Sequence, residues 1–397
     1  MAKILCVLYP DPVSGYPPKY ARDSIPKITH YPDGTSVPNP KNIDFKPGQL
    51  LGSVSGGLGL RKFLEDTGNQ FVVTSDKEGP NSKFERELPD ADVVISQPFW
   101  PAYLTAARFN KAKKLKLAIT AGIGSDHVDL NAANEHHVAV AEVTYCNSIS
   151  VAEHAVMQVL DLVRNFVPSH QWSKKGGWNI ADCVSRAYDL EGMTVGVVGA
   201  GRIGRAILSR LKPFGVHLLY NQRHQLPQAS ENKLGATFAP KLSDLAKQVD
   251  VLVVETPLYA KTYHMLNKNL INQMKRGAYI VNNGRGQLAN RDDIVEALKS
   301  NQLGGYAGDV WYPQPAPKNH PWRTMPHEAM TPHVSGTTLS AQARYAAGVR
   351  EILEDFLNHK PIRKDYIIAQ NGQLAGTGAK SYEVSNGKAS PGSGQKG

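Results

Sequence analysis

Residues 193–224, MTVGVVGAGRIGRAILSRLKPFGVHLLYNQRH, constrain the fold more than any other stretch of the chain. An apolar run ends in Gly199-Ala200-Gly201-Arg202-Ile203-Gly204; an amphipathic run follows, and Gly215 precedes a second apolar run. The pattern predicts a strand, a glycine turn, a helix and a further strand. A G-x-G-x-x-G pattern alone is a weak signal, but this one sits between a strand and a helix, where its physics requires it. Gly199 allows the tight turn, and Gly201 lets the backbone approach a pyrophosphate. Gly204 lets helix and strand pack closely, with the helix N-terminus facing the anion. Gly199 to Gly204 are therefore candidate dinucleotide contacts.

Apolar runs alternate with helical patterns on both sides of this unit, which predicts α/β architecture. Residues 3–9, 70–75, 91–97, 115–120 and 138–143 read as five strands of a first sheet. Residues 10–50, rich in Pro, Gly and Asp, read as an extended surface segment. Residues 148–165 read as a long capped helix, and 176–192 (GGWNIADCVSRAYDLEG) as an irregular connector. The strands from Thr194 onward read as a six-strand doubly wound sheet. Residues 340–360 form an amphipathic helix, and a tail rich in Gly, Ser and Lys follows. A chain of 397 residues exceeds one small domain. The expected organisation is two Rossmann-like doubly wound parallel-sheet domains, residues 148–333 being a dinucleotide-binding domain inserted into a catalytic domain of residues 1–147 and 334–397.

The strand after the glycine turn reaches Gln222 twenty-three positions beyond Gly199. An acidic residue at about this distance bonds the ribose 2′-hydroxyl and repels a 2′-phosphate. Gln222 removes the repulsion and can donate. Arg223 can fork a phosphate or stack on adenine, and His224 follows. NADP is therefore the expected cofactor, with NAD also accepted.

Composition narrows the partners. The formal net charge is +10, but the basic residues are scattered and the densest group, Lys111 to Lys116, reads as a solvated helix end. A positive field suits a small anionic substrate better than nucleic acid. No apolar run approaches a membrane span. Cys6, Cys146 and Cys183 read as reduced thiols of a cytoplasmic protein, and no cluster has metal-ligand spacing. Cys146, beside Asn147, reads equally as an oxidisable or an inert buried thiol. Three turn-rich segments carry polar residues: Asn283-Gly284-Arg285-Gly286, Gly308-Asp309 to Gln314-Pro315, and Thr331-Pro332-His333-Val334-Ser335-Gly336. Strand ends in an open α/β sheet face the ligand crevice, so an Arg, an Asp and a His delivered there point to a catalytic site.

Nearly the whole chain resembles the metal-free NAD(P)-dependent formate dehydrogenases of the D-2-hydroxyacid dehydrogenase superfamily. The motifs are SQPFWPAYLT (96–105), TAGIGSDHVDL (120–130), NSISVAEH (147–154), GGWNIADC (176–183), GDVWYPQPAP (308–317), HPWRTMP (320–326) and TPHVSGTT (331–338). The superfamily pairs its catalytic His with a Glu that manages a proton. Here Gln314 holds that position. An amide is a poor partner for an imidazolium but suits formate, which loses only hydride. The resemblance implies that Arg285 forks the formate carboxylate, and that the Asn147 amide and the Ile123 N–H bind it too. His333, oriented by Gln314, stands beside substrate and nicotinamide as donor and spacer. Asp309 and Ser335 set the nicotinamide carboxamide, while Pro98 and Phe99 form an apolar wall with Gly124 in the same pocket. Pro257, Gly336 and Lys380 join the cofactor contacts. Gly199 stands where many relatives carry Ala, which is expected to leave room near the phosphates. The resemblance also implies a homodimer built on the helix after Asn147 and the GGWNIADC segment. The alternatives are a D-2-hydroxyacid dehydrogenase or glyoxylate reductase, and a non-catalytic NAD(P)H-sensing protein on the same fold.

Overall fold

The structure, a computed structural model, describes residues 1–38, 50–376, 382–385 and 388–389. The chain divides into two compact units, Met1–Asn147 with Gly336–Gly397, and Ser148–Ser335.

The first unit begins with β1 (Lys3–Val7), β2 (Gln70–Thr74), β3 (Val93–Ser96), β4 (Leu117–Thr120) and β5 (Ala139–Glu142). The second contains β6 (Thr194–Val198), β7 (His217–Asn221), β8 (Ala236–Phe238), β9 (Val251–Val254), β10 (Ala278–Asn282), β11 (Leu303–Gly308) and β12 (Glu328–Met330). The chain then returns to the first unit with β13 (Ile367–Gln370), β14 (Gln373–Leu374), β15 (Glu383–Ser385) and β16 (Lys388–Ala389).

The first sheet has seven strands in the order β14-β13-β5-β4-β3-β1-β2, not five. Its five N-terminal strands are parallel, whereas β13 runs antiparallel to β5, with Ile367 opposite Ala141. A C-terminal segment therefore closes the β5 edge, an extension invisible to local periodicity. Strand β1 lies inside, pairing Ile4 with both Phe71 and Val93. Helices cover both faces, so its side chains are buried in both directions. Ile4 and Cys6 join one core with Tyr345, Val349 and Ile352 of the helix Leu339–Leu357. Leu5 and Val7 join the opposite core with Phe84, Phe109 and Leu130. The Thr338 side chain caps that helix by accepting from the Ala341 N–H at 3.1 Å.

The second sheet also has seven strands, in the order β12-β11-β10-β9-β6-β7-β8, one more than the sequence reading, and all are parallel. The added pieces are short edge strands with weak patterns. From β6 the chain builds outward through β7 to β8, then crosses to β9 on the other side. The β6/β9 boundary is thus the topological switch point, where carboxyl strand ends open a crevice. Ala152, Ala155, Val159 and Leu162 of the helix Ser148–Val163 pack on one face with Val195, Val197 and Val253.

The segment after that helix is not irregular throughout. It forms helices at Phe166–Lys174 and Ile180–Val184, the second capped by Asn179, whose side chain accepts from the Ala181 N–H at 3.0 Å. Gly177 breaks the chain between them because Trp172 covers it: a Cβ there would lie 2.2 Å from the indole. Their apolar side chains face outward, so no amphipathic pattern announced them.

Candidate active site

The glycine turn follows β6 as the sequence predicts and opens the helix Arg202–Leu211. Gly204 is required by packing, since a Cβ there would lie 2.0 Å from the Gly199 carbonyl oxygen. A Cβ at Gly201 would meet nothing within 4 Å, so this side of the backbone stays approachable at the helix N-terminus. Gly199 has φ +96°, and its absent Cβ points at the Glu255 carbonyl oxygen, 2.7 Å away. The glycine therefore serves the contact between the turn and the end of β9. Its missing side chain opens no room toward the phosphates, which corrects that part of the sequence reading.

At the end of β7, the Gln222 side-chain amide donates to the His224 carbonyl at 2.6 Å. That bond closes a small polar turn on which Arg223 and His224 are exposed, with no carboxylate at the position. Pro257 is also exposed, and its carbonyl accepts from the Thr262 hydroxyl at 2.9 Å. Lys380 lies outside the described residues.

Arg285 follows β10, and its turn is built by Asn282, a residue the sequence reading passed over. The buried Asn282 amide donates to the Arg285 carbonyl at 3.0 Å and to the Tyr306 hydroxyl at 3.1 Å, while its oxygen accepts from the Gly284 N–H at 3.2 Å. Gly286 allows the turn to press on β11's continuation, since a Cβ would meet the Trp311 backbone at 2.5 Å. The half-buried Arg285 donates from Nη1 to the Gly284 carbonyl at 2.7 Å.

Asp309 is fully buried and anchors the third segment. Its carboxylate accepts from the Val334 N–H at 2.8 Å, the Ser335 N–H at 2.7 Å and the Thr331 hydroxyl at 2.6 Å. Because Thr331 donates to Asp309, its oxygen accepts from His154 Nε2 at 3.0 Å. Burial lowers the His154 pKa, which keeps that ring neutral. These bonds hold His333 at φ +59°, a left-handed conformation costly for a non-glycine residue. His333 Nδ1 lies 2.9 Å from Gln314 Oε1. An amide oxygen only accepts, so the ring carries a proton on Nδ1, and Nε2 donates only from the doubly protonated ring. The sequence reading assigned His333 a donor role without this condition.

The first unit assembles its own group. Gly122 follows β4 at φ +150°, and a Cβ there would lie 2.9 Å from Pro98 and 3.6 Å from Phe99. The next turn is governed by Glu142, which sequence reading took for an ordinary strand residue. It is 4% exposed, and its Oε2 accepts from the Gly124 N–H at 3.1 Å, the Ser125 hydroxyl at 2.9 Å and the Tyr382 hydroxyl at 3.0 Å. The Gly124 amide is thus committed to Glu142, and its role is to aim the half-buried Ile123 beside it. Asn147 is 4% exposed with Oδ1 unpartnered, and Gly336 lies against it: a Cβ at 336 would fall 2.5 Å from the Asn147 amide nitrogen and 3.2 Å from Phe99. Gly336 therefore sits with the Asn147 and Phe99 group of its own unit. Cys146 is fully buried, and burial pushes its thiol pKa up, so the inert alternative holds.

Comparison with known proteins gives this geometry a family. Residues 156–335 match the model of the D-isomer specific 2-hydroxyacid dehydrogenase NAD binding domain. The chain is 66% identical to the formate dehydrogenase of Pseudomonas sp. (strain 101), across 97% of this chain and 96% of that one. The chain belongs to the formate dehydrogenases. A Granulicella formate dehydrogenase structure is 65% identical, covers 95% of this chain and all of its own, and superposes with a TM-score of 0.92. The NAD-dependent formate dehydrogenase of Staphylococcus aureus, solved with NAD, is 42% identical with a TM-score of 0.78 over 92% of this chain and 99% of that one.

The segment that matches the NAD binding domain model, residues 156–335, is contiguous and lies within the second unit. The sequence signals located the Arg285, Asp309 and His333 segments in one sheet's strand ends and loops. They missed Asn282, Glu142 and Glu255 because a buried polar side chain leaves no periodic trace. Among the described residues, no group of three or more His, Cys, Asp or Glu is arranged to hold a metal ion, and no helix is long and apolar enough to cross a membrane.

Proposed function

We propose that the chain oxidises formate to CO₂ by direct hydride transfer to NADP⁺, with NAD⁺ as the weaker acceptor. One observation carries the chemistry: His333 Nδ1 faces the neutral amide of Gln314 at 2.9 Å. Oxidation of a hydroxy acid needs a base whose cation is stabilised, and a carboxylate partner does that. Formate needs none, because HCOO⁻ + NADP⁺ gives CO₂ + NADPH with no proton moved.

The residues present suit a nicotinamide dinucleotide: an open Gly201 at a helix N-terminus, and buried unpartnered polar atoms at the ends of β9 and β10. When bound, that cofactor supplies the hydride acceptor. The Gly199 to Gly204 turn would hold its pyrophosphate, Gln222, Arg223, His224 and Lys380 its 2′-phosphate end, Pro257 its adjoining surface, and Asp309 with Ser335 its carboxamide. Arg285 forks the formate oxygens, assisted by the Asn147 amide and the Ile123 N–H, while Pro98 and Phe99 exclude water. The rate gain comes from positioning and fixed electrostatics. The deciding experiment follows reduced-nicotinamide absorbance with formate and matched low NADP⁺ or NAD⁺. Faster reduction of NADP⁺ is expected. Faster NAD⁺ reduction overturns the 2′-phosphate reading, and preference for glyoxylate or pyruvate overturns the formate reading.

The same proposal includes a homodimer in a reducing, cytoplasmic setting. Cys6, Cys146 and Cys183 are unpaired. Around the helices Phe166–Lys174 and Ile180–Val184, Phe166, Trp172, Trp178, Ile180, Val184 and Tyr188 are all exposed, Trp178 at 87%. So many large apolar side chains on one segment mark a contact surface, and a second copy is its occupant. Light scattering on the eluting protein should give about twice the 43.3 kDa chain mass, and Trp178→Ser with Val184→Ser should shift it toward one.

A further inference from the structure

The proposed site uses nothing from residues 10–50, yet one side chain of that segment reaches inward. Of residues 11–37, Tyr31 alone is buried, at 4% exposed. A small turn presents it. The Tyr31 N–H donates to the Thr35 carbonyl at 2.8 Å, the Gly34 N–H to the Tyr31 carbonyl at 2.9 Å and the Val37 N–H to the Thr29 carbonyl at 3.1 Å. Arg363 ties the turn to the first unit through the Ser36 carbonyl at 3.4 Å. The Tyr31 ring stacks on Tyr145, with centroids 5.4 Å apart and an interplanar angle of 25°. Its hydroxyl is buried without a partner. The contact therefore rests on the ring and not on the hydroxyl.

What the ring covers is strained. Tyr145 has φ +76°, a left-handed backbone that is costly for a bulky residue and persists only where its surroundings enforce it. Two hydrogen bonds flank it. On one side the Thr144 hydroxyl donates to the Asp365 carbonyl at 2.7 Å. On the other, Arg344 Nε of the helix Leu339–Leu357 donates to the Cys146 carbonyl at 2.6 Å. That carbonyl shares a peptide plane with the nitrogen of Asn147, so the bond fixes the plane from which Asn147 departs. Asn147 depends on such support. Its Oδ1 is buried without a partner, and Gly336 packs against its amide nitrogen. No hydrogen bond to that oxygen fixes the amide, so its aim is set by the backbone and by packing. Tyr31, Tyr145, Asn147 and Arg344 all belong to the first unit.

We propose that Tyr31 and Arg344 are positioning residues for formate: the Tyr31 ring and the Arg344 bond hold the strained Tyr145–Cys146 backbone and thereby aim the Asn147 amide. Both act through Asn147 and not on the substrate. The inference rests on the proposed formate-binding role of Asn147 and deepens it. Without the ring, Tyr145 is free to leave the left-handed region, and a change of φ two residues away swings the amide off its target. A misplacement of about 1 Å can cost about a hundredfold in rate. The consequence is selective. Formate binding and turnover depend on Tyr31 and Arg344, whereas the dinucleotide contacts proposed on the second unit do not.

The test measures initial rates of the full-length protein against formate, at saturating NADP⁺ or NAD⁺, whichever it reduces faster. Cofactor Kd is followed by tryptophan fluorescence on the same preparations. Tyr31→Ala should raise the formate KM about tenfold and lower kcat, with cofactor Kd held within about twofold. Tyr31→Phe keeps the ring and drops the unpartnered hydroxyl, so it should restore the formate KM to within about twofold of wild type. Arg344→Met keeps the stem and loses the donor. It should repeat the Tyr31→Ala pattern, and it carries the test if Tyr31→Ala does not fold. A double-mutant cycle with Asn147→Ala separates aiming from general damage. In the Asn147→Ala background, Tyr31→Ala or Arg344→Met should change kcat/KM for formate by less than about threefold. Equal losses with and without Asn147, or a formate KM unchanged in both variants, overturn the proposal alone. So do a Tyr31→Phe protein as impaired as Tyr31→Ala and a cofactor Kd that rises in step with the formate KM. A kcat/KM for formate untouched by Asn147→Ala overturns the reading of Asn147 beneath it as well.

Discussion

Each unit has a glycine turn after a parallel strand, at 122–124 beyond β4 and at 199–204 beyond β6. The two turns are finished differently. In the first, the Glu142 carboxylate takes the Gly124 N–H and the Ser125 hydroxyl, and the Tyr382 hydroxyl accepts from the Ser125 N–H at 2.8 Å. In the second, Gly201 stands open, and the neighbouring strand ends hold Glu255 and Asn283 with unpartnered atoms. The first turn is closed by the protein itself and serves to fix a backbone. The second leaves its backbone uncovered at Gly201. A backbone N–H in a glycine turn is open to a ligand only where the fold has not already taken it, as it has at Gly124.

The largest effect that can break this contrast comes from the open edge. Arg285→Ala should remove the cation proposed to pair with formate. Losing one partner of a buried charge pair typically costs about 2–5 kcal/mol, so kcat/KM for formate should fall by about two to three orders of magnitude. An unchanged value would take Arg285 out of the site. Next comes Gln222→Asp. A carboxylate facing a 2′-phosphate costs several kcal/mol, and the ratio of kcat/KM for NADP⁺ to that for NAD⁺ should fall by roughly a hundredfold. Survival of the ratio would place the phosphate elsewhere.

At the closed edge the readout is stability. Glu142→Ala deletes the acceptor shared by Gly124, Ser125 and Tyr382 and strands their buried donors. Each stranded group costs about 1–3 kcal/mol, so urea unfolding should show a loss of several kcal/mol. A loss below about 1 kcal/mol would mean that the turn stands without Glu142.

The smallest effect sharpens the contrast through pH. A carboxyl with a raised folded pKa, as burial gives Glu255, binds its proton more tightly in the native state than in the unfolded chain. Its contribution is therefore full below the unfolded value and fades as pH rises from the ordinary carboxylate range toward the raised value. Wild-type stability should decline across that window, and Glu255→Gln should remove the decline. Identical pH profiles for the two proteins would show that Glu255 is not held protonated by the fold.

Much of this was legible in the sequence because it is local. The turn at Gly199 to Gly204 and the carboxyl-end positions of Arg285 and Asp309 follow from patterns a few residues long, whereas the pairing of Gln314 with His333 came from the family resemblance. Glu142 was not legible. It reads as one polar residue in a strand, and its partners Gly124 and Tyr382 come from distant parts of the chain. The capping of Arg285's turn by Asn282 is close in sequence, yet an asparagine ending a strand carries no distinguishing pattern. The helix Ile180–Val184 escaped because its apolar residues face outward.

The sequence by itself determined the two alternating α/β patterns, the dinucleotide turn, the missing acid at Gln222 and the amide at Gln314, since residue identity and short spacing suffice for each. Only the tertiary structure decided which polar groups are already paired. It commits the Gly124 amide to Glu142, turns the missing Gly199 side chain toward Glu255 and packs Gly336 on Asn147. Burial and hydrogen-bond satisfaction depend on segments brought together across the chain, and no window of sequence contains them.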